Sequence, residues 1–250
     1  MPHALGIDIG GTGIKGAIVD TDTGDLVSER LKLATPDGGR PDDIVATVLE
    51  LIDQIGGQTQ DMPVGICFPA IVKNGRTMSA ANISKKWIGL EAEKLFEKAL
   101  GRGIYFLNDA DAAGYAEVRY GAAEGVDGLV LLTTLGTGIG SALIYDGVVI
   151  PNAELGHIEI GGKDAESRMS YAAKERGRLS WARWTQRLQV YYTHLEALFS
   201  PDLFIVGGGV SKHADEFLPL LNLTTPIVPA VHRNSAGILG AAARATTDPR

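Results

Sequence analysis

The chain has 250 residues, 45% of them hydrophobic, a single cysteine and a net charge of −7 at pH 7. That length supports one large or two small domains with filled cores, and one cysteine excludes an internal disulfide framework or a cysteine-based metal site. The acidic balance argues against a nucleic-acid or membrane-surface partner, which would select surplus Lys and Arg. No run reaches the roughly 20 apolar residues of a membrane span, and MPHALGIDIG lacks the features of a leader, so a soluble cytoplasmic protein is expected.

The first predicted strand, LGIDIG (5–10), passes through Gly11-Thr12-Gly13 toward a second, GAIVD (16–20). Gly11-x-Gly13-x-x-Gly16 has the spacing of a dinucleotide fingerprint, with Asp25 and Glu29 downstream where a ribose-binding acid would sit. That fingerprint needs its glycines to open a helix that receives a pyrophosphate. Here the β-type run Ala17-Ile18-Val19-Asp20 follows, so the dinucleotide reading fails. A Walker A reading fails too, because Lys15 is followed by Gly16 in place of Ser or Thr.

Further strands are predicted at 26–34, at 62–68, where Cys67 reads as a buried small hydrophobe, and at 103–109, 128–134, 141–147 and 202–209. Helical patterns occupy 42–55, 91–100, 109–120, most of 165–199, and 235–245, the last with Ser235 as its cap. Strands alternating with helices indicate an α/β protein.

An internal repeat organises these elements: GTGIKGAIVD at Gly11 returns half a chain later as GTGIGSALIY at Gly136. Each copy links two apolar runs through a short glycine turn, which predicts two β-hairpins in two similar lobes sharing a cleft. Glycine turns let backbone N–H groups approach an anion, so Gly10, Gly11, Gly13, Gly136 and Gly138 are candidate phosphate contacts, with Thr12 and Thr137 adding hydroxyls and Lys15 a charge. Asp8, on the strand before the first turn, makes electrostatic sense beside phosphate with a cation between them, for which Mg²⁺ is the natural candidate.

DIGGTGIKGAIVD, LNDADAAGYAE, LGTGIGSALI, ELGH and VGGGVS occur here in the order and spacing of the ROK-family sugar kinases, which the chain resembles over essentially its whole length. Within that family it is most similar to the polyphosphate glucokinases and polyphosphate/ATP glucomannokinases, on AANISKKWIG, IPNAELGHIEIGGKDAE and PDLFIVGGGVSKHADEFLPLL. The resemblance implies an actin-like (ribonuclease H-like), duplicated, two-lobed fold with a central cleft. The small lobe would span 1–109, completed by a C-terminal helix at 235–250, and the larger lobe 110–234. It also implies transfer of a terminal phosphoryl group from polyphosphate or ATP to the 6-hydroxyl of glucose, with mannose as a further acceptor and a homodimer as a common assembly.

By the same resemblance Asp109 is the catalytic base and Asn82, Asn108, Glu154, His157 and Glu166 bind the sugar; from local sequence alone, Asn108 or Asp109 could equally cap the following helix. Gly207, Gly208 and Gly209 would hold the adenosine of ATP. Many relatives follow the histidine with a zinc-binding cysteine cluster, whereas EIGGKDAESRMS has no cysteine, so zinc is not expected. Lys85, Lys86 and Lys163 are candidates for a polyphosphate track. The stretch 163–187 adds a basic bias, with Lys163, Arg168, Lys174, Arg176, Arg178, Arg183 and Arg187 against three acids, although basic helices are commonly just solvated faces. The alternative is an ATP-only kinase of the same family acting on another hexose or an amino sugar. A sugar-sensing repressor is disfavoured, because such regulators carry a DNA-binding domain ahead of the kinase-like fold and the first strand here starts at about Ala4.

Overall fold

The two glycine-linked runs fold as hairpins in the computed structural model, which describes residues 3–57, 59–81 and 83–247. In chain order, the first half comprises β1 (His3–Gly10), β2 (Gly13–Asp20), β3 (Leu31–Leu33), α1 (Pro41–Ile55), β4 (Val64–Phe68), the short pair β5 (Val72–Lys73) and β6 (Arg76–Thr77), α2 (Ala92–Leu100), β7 (Tyr105–Asn108) and α3 (Asp109–Tyr120). The second half comprises β8 (Leu129–Leu135), β9 (Ile139–Tyr145), β10 (Val148–Ile150), α4 (Glu166–Met169), α5 (Tyr171–Arg176), α6 (Trp181–Phe199), β11 (Leu203–Gly207), α7 (Ala214–Phe217), β12 (Ile227–Pro229) and α8 (Ala236–Thr246).

Two five-stranded sheets share one plan. The first has the order β3-β2-β1-β4-β7 and the second β10-β9-β8-β11-β12. In each, the leading hairpin and its outer strand are antiparallel and the other two strands run parallel to the first strand of the hairpin. The sequence repeat therefore marks equivalent turns, β1–β2 and β8–β9.

The chain forms two compact units, one running to Tyr120 and resuming at Ser235, the other Gly121–Asn234. The boundary lies beyond the residue 109 expected from sequence, because α3 packs against α8. Their backbones approach so closely that a Cβ added at Gly240 would run into the Ala112 carbonyl. On β1 the odd residues Leu5, Ile7 and Ile9 are fully buried in a core with Val48 and Leu51 of α1, Phe96 of α2, Phe68 and Trp87. The Phe68 and Trp87 rings lie 4.5 Å apart, and Trp87 Nε1 donates to Gly39 O at 2.9 Å. The opposite face carries Gly6, and with Gly65 on β4 it receives α8 at backbone contact, against the carbonyls of Ile238 and Ala241. In the second unit, Trp184, Leu188, Tyr191, Tyr192 and Leu195 recur along α6 at helical spacing and pack with Leu131, Phe204 and Val206 from the sheet.

Several elements differ from their sequence expectation. The run 26–34 supplies only β3 and a bridge from Leu26 to Val19, since the Ser28 hydroxyl takes the Ile18 N–H. The helical stretch 165–199 is cut into three by Ser170 and Ser180, whose hydroxyls accept from Ala173 N and Arg183 N and so begin new helices. Ser235 does not cap α8: its backbone is already helical, after a 3-10 turn, and its side chain makes no capping bond. The strands β5, β6, β10 and β12, two or three residues each, are too short to announce themselves as alternating patterns. Among the described residues no helix is long and apolar enough to cross a membrane.

Candidate active site

β1 and β2 face each other in full register from His3–Asp20 to Gly10–Gly13, leaving Gly11-Thr12 as a two-residue turn. This register sets Asp8 opposite Lys15, and the Lys15 ammonium donates to Asp8 Oδ2 at 2.7 Å. Cys67 stands beside Asp8 on β4, its Sγ 3.7 Å from Asp8 Oδ1 and 3.5 Å from Gly237 O. Burial, reinforced by the Asp8 and Asp109 carboxylates, pushes the Cys67 thiol well above its ordinary range, so it stays protonated. Gly237 at the head of α8 leaves room for this group, since a Cβ there would lie 3.0 Å from Asp8 Cγ. Thr35, not expected from sequence, ties the loop after β3 to the turn by donating to Gly10 O at 2.5 Å.

At the junction of β7 and α3, Asn108 is buried and committed to the fold. Its Oδ1 accepts from Ala110 N at 2.7 Å and Asp111 N at 3.1 Å, and its Nδ2 donates to Ala70 O at 3.1 Å. The capping alternative therefore describes the Asn108 carbonyl, while one amide hydrogen remains beyond the bond to Ala70. Asp109 is exposed, with Oδ1 accepting its neighbour's N–H at 2.9 Å. A carboxylate at the first turn of a helix is favoured by the helix dipole.

In the second unit Gly136-Thr137-Gly138 joins β8 to β9, closed by Gly136 N–H to Gly138 O at 3.0 Å. The Gly207-Gly208-Gly209 turn backs onto the same place. Gly208 has φ 81°, and a Cβ there would lie 2.6 Å from Leu135 O, so glycine is required on both counts. Glu166 reaches the hairpin from the other side, its Oε2 accepting from Ile139 N at 3.1 Å.

The segment after β10 presents Glu154 and His157. Ser141 braces it, donating to Ala153 O at 2.8 Å and accepting from Leu155 N at 2.9 Å. The chain then turns at Gly161 and Gly162, both at positive φ, and Glu159 bridges Asp164. That return brings Asp164 Oδ2 to 3.0 Å from His157 Nδ1, while His157 Nε2 lies 3.9 Å from Glu154 Oε2. The hydrogen bond that His157 donates to the Asp164 carboxylate, with Glu166 and Glu154 nearby, lifts His157 above its ordinary pKa of 6.5 against the opposing effect of burial. Desolvation raises Glu154, only partly offset by His157. Because the folded value for His157 is raised, its protonated form adds stability that is complete below pH 6.5 and is lost as pH climbs through the raised pKa. Asp164→Asn should lower the His157 midpoint in an NMR pH titration; an unchanged midpoint would reject Asp164 as the cause.

Of the basic residues in 163–187, only Lys174 is withdrawn from the surface. Lys174 is buried, 4.2 Å from the Trp181 ring centroid and 3.0 Å from Glu175. Arg176 and Arg187 donate to Ser167 O and Arg168 O. Lys85, Lys86 and Lys163 are exposed, the first two in a 3-10 turn anchored by buried Trp87. Asn82 lies outside the described residues.

Comparison with known proteins decides the family. Residues 4–175 match the model of the ROK family. The chain is 46% identical to a polyphosphate glucokinase of Mycobacterium tuberculosis, over 98% of this chain and 92% of the relative. This chain belongs to the ROK family. A crystal structure of inorganic polyphosphate/ATP-glucomannokinase from Arthrobacter sp. strain KM superposes with TM-score 0.94 at 52% identity, covering 98% of both chains. A ROK family glucokinase from Streptomyces griseus, solved with glucose and AMPPNP, shares the fold at TM-score 0.83 and 24% identity, covering 96% of this chain and 98% of that one. The fold is thus the actin-like one of the ROK sugar kinases.

Of the residues expected from sequence, this ROK chain brings Asp8 to Lys15, Gly207–Gly209 to the second hairpin and Glu166 to that hairpin's exit, and it sets Asn108 and Asp109 at the start of α3. Thr35, Cys67 and Asp164 are the partners that sequence reasoning missed. Nothing local in the sequence gives Thr35, Cys67 or Asp164 these partners, and only the return at Gly161-Gly162 selects Asp164 for His157.

Proposed function

We propose that this protein transfers the terminal phosphoryl group of inorganic polyphosphate or ATP to the 6-hydroxyl of glucose, with mannose as a second acceptor. The observation that carries the reading is the 52% identity, over 98% of both chains, to a polyphosphate/ATP-glucomannokinase. The geometry agrees with it. Phosphoryl transfer needs an aligned acceptor hydroxyl, a group to take its proton, and N–H groups or cations around the moving phosphoryl.

Asp109 is assigned as the base: as the acceptor oxygen attacks the terminal phosphorus, the phosphoanhydride bond breaks, the shortened polyphosphate or ADP leaves, and the hydroxyl proton passes to the exposed carboxylate. Asn108 holds Asp109 in place through the helix cap and keeps one N–H for the sugar. Glu154, His157, Glu166 and Asn82 are assigned to the other hydroxyls, since carboxylates accept paired hydrogen bonds from adjacent ring hydroxyls. The two glycine hairpins, with Thr12, Thr137 and Lys15, are assigned to donor phosphates, and Gly207–Gly209 to the adenosine of ATP. Lys85, Lys86 and Lys163 remain candidates for a longer polyphosphate path.

Among the described residues no group of three or more His, Cys, Asp or Glu is placed to hold a metal ion. A single carboxylate such as Asp8, here shared with the Lys15 ammonium, nevertheless fits Mg²⁺, which keeps several waters and binds through one or two carboxylates plus substrate phosphates. Asp8 is the residue that would hold it, and the ion would supply neutralisation of donor phosphate charge.

A coupled hexose-6-phosphate assay with glucose and mannose, each against ATP and polyphosphate, tests the reading; no product with any pairing rejects it. Lys15→Ala should raise the donor KM about tenfold or more, the scale of a charged hydrogen bond, and leave glucose binding nearly unchanged. The reverse pattern would remove Lys15 from the donor site.

A further inference from the structure

β3 adds a third charged side chain to the row that begins at Asp8. The register places Asp8 opposite Lys15 and Lys15 opposite Lys32, so one face of the sheet carries a carboxylate and two ammonium groups in line. Like charges directly opposed on neighbouring strands are unfavourable. Lys15 is neutralised by Asp8 at 2.7 Å, whereas Lys32 is exposed and has no ion-pair partner among the described residues.

The direction of the Lys32 side chain matters more than its charge. It lies over Gly13 toward the Gly11-Thr12 turn, where a Cβ on Gly13 would collide with Lys32 Cε and stand 3.4 Å from Nζ. Gly13 faces Gly10 across the hairpin, so two residues without side chains leave the floor beside that ammonium bare. Thr35, two residues past the end of β3, bonds Gly10 O and ties this strand's exit to the turn.

We propose that Lys32 is a donor-binding residue whose ammonium contacts the phosphoanhydride chain of polyphosphate or ATP beside the first glycine turn. The inference rests on the phosphate role assigned to that turn. It gives the two opposed lysines a purpose: an anion beside them turns a repulsive pair into a clamp.

The test uses the full chain and the variants Lys32→Gln and Lys32→Arg. Initial rates are measured at saturating glucose with size-fractionated polyphosphate or ATP varied, alongside direct binding of polyphosphate by calorimetry. Lys32→Gln should raise the donor KM and weaken polyphosphate binding about fivefold, the upper scale of an exposed charge pair, and flatten their salt dependence. Glucose KM, kcat and the melting temperature should hold, and Lys32→Arg should restore most of the loss. An effect with polyphosphate alone places the contact on phosphates that ATP lacks; an equal effect with ATP places it on the phosphates next to the transferred group. Unchanged donor KM and polyphosphate binding in Lys32→Gln would overturn the proposal, as would an equal loss in Lys32→Arg. Should wild type bind polyphosphate and yet form no sugar phosphate, the kinase reading fails by itself, and the binding comparison still decides Lys32.

Discussion

Asp109→Asn is expected to bind glucose with near wild-type affinity and to lose about 10²- to 10⁴-fold in kcat, the usual contribution of a positioned general base. The amide nearly matches the carboxylate in shape. Its oxygen can still accept the Ala110 N–H that Asp109 takes at 2.9 Å, and the helix start is secured independently by Asn108. Folding and sugar binding should therefore survive, while the group able to receive the hydroxyl proton is gone. Calorimetric glucose titration beside steady-state kinetics separates the two effects; turnover within a few-fold of wild type would reject the base assignment.

Gly240→Ala and Gly65→Ala should each destabilise the first unit by about 3 kcal/mol or more, at the upper end of what overpacking costs. Helix propensity argues the other way at residue 240, where alanine would gain up to about 1 kcal/mol over glycine. Packing wins because the added methyl at 240 would meet the Ala112 carbonyl, and the one at 65 the Ala241 carbonyl. Backbone atoms cannot rotate aside as a side-chain end would, so α8 must lift from α3 or from β4. Since Gly237 at the head of the same helix packs against Asp8 and Cys67, donor binding should weaken in the same variants. Denaturant unfolding measures the loss. Unchanged or increased stability would mean that α8 is not seated on these glycines.

Much of the candidate site is legible in the chain because its placement depends on neighbours in sequence. The turn at Gly11-Thr12 follows from two β-type runs separated by glycines, and the recurrence at Gly136 predicts a second hairpin, which occupies the equivalent position in an equivalent sheet. Asn108-Asp109 lies between an apolar run and a helical pattern, so the junction could be placed before any contact was known. The basic stretch 163–187 shows the limit of such reading. Its charges add up along the chain, but one of the seven, Lys174, folds inward onto Trp181 and is lost to the surface.

By itself the sequence determined the α/β class, the duplication, the two glycine turns and the place of Asn108 and Asp109 at a strand-to-helix junction, because hydrophobic period and turn chemistry act over a few residues. Only the tertiary structure decided that α3 belongs with the first unit, that Lys15 is held by Asp8, that Asp164 lifts the pKa of His157, and that Lys32 lies over Gly13. Those outcomes depend on strand register, on a return at two positive-φ glycines and on helix-to-sheet contact at glycine backbones. They bring together groups whose separation along the chain gives no sign that they will meet.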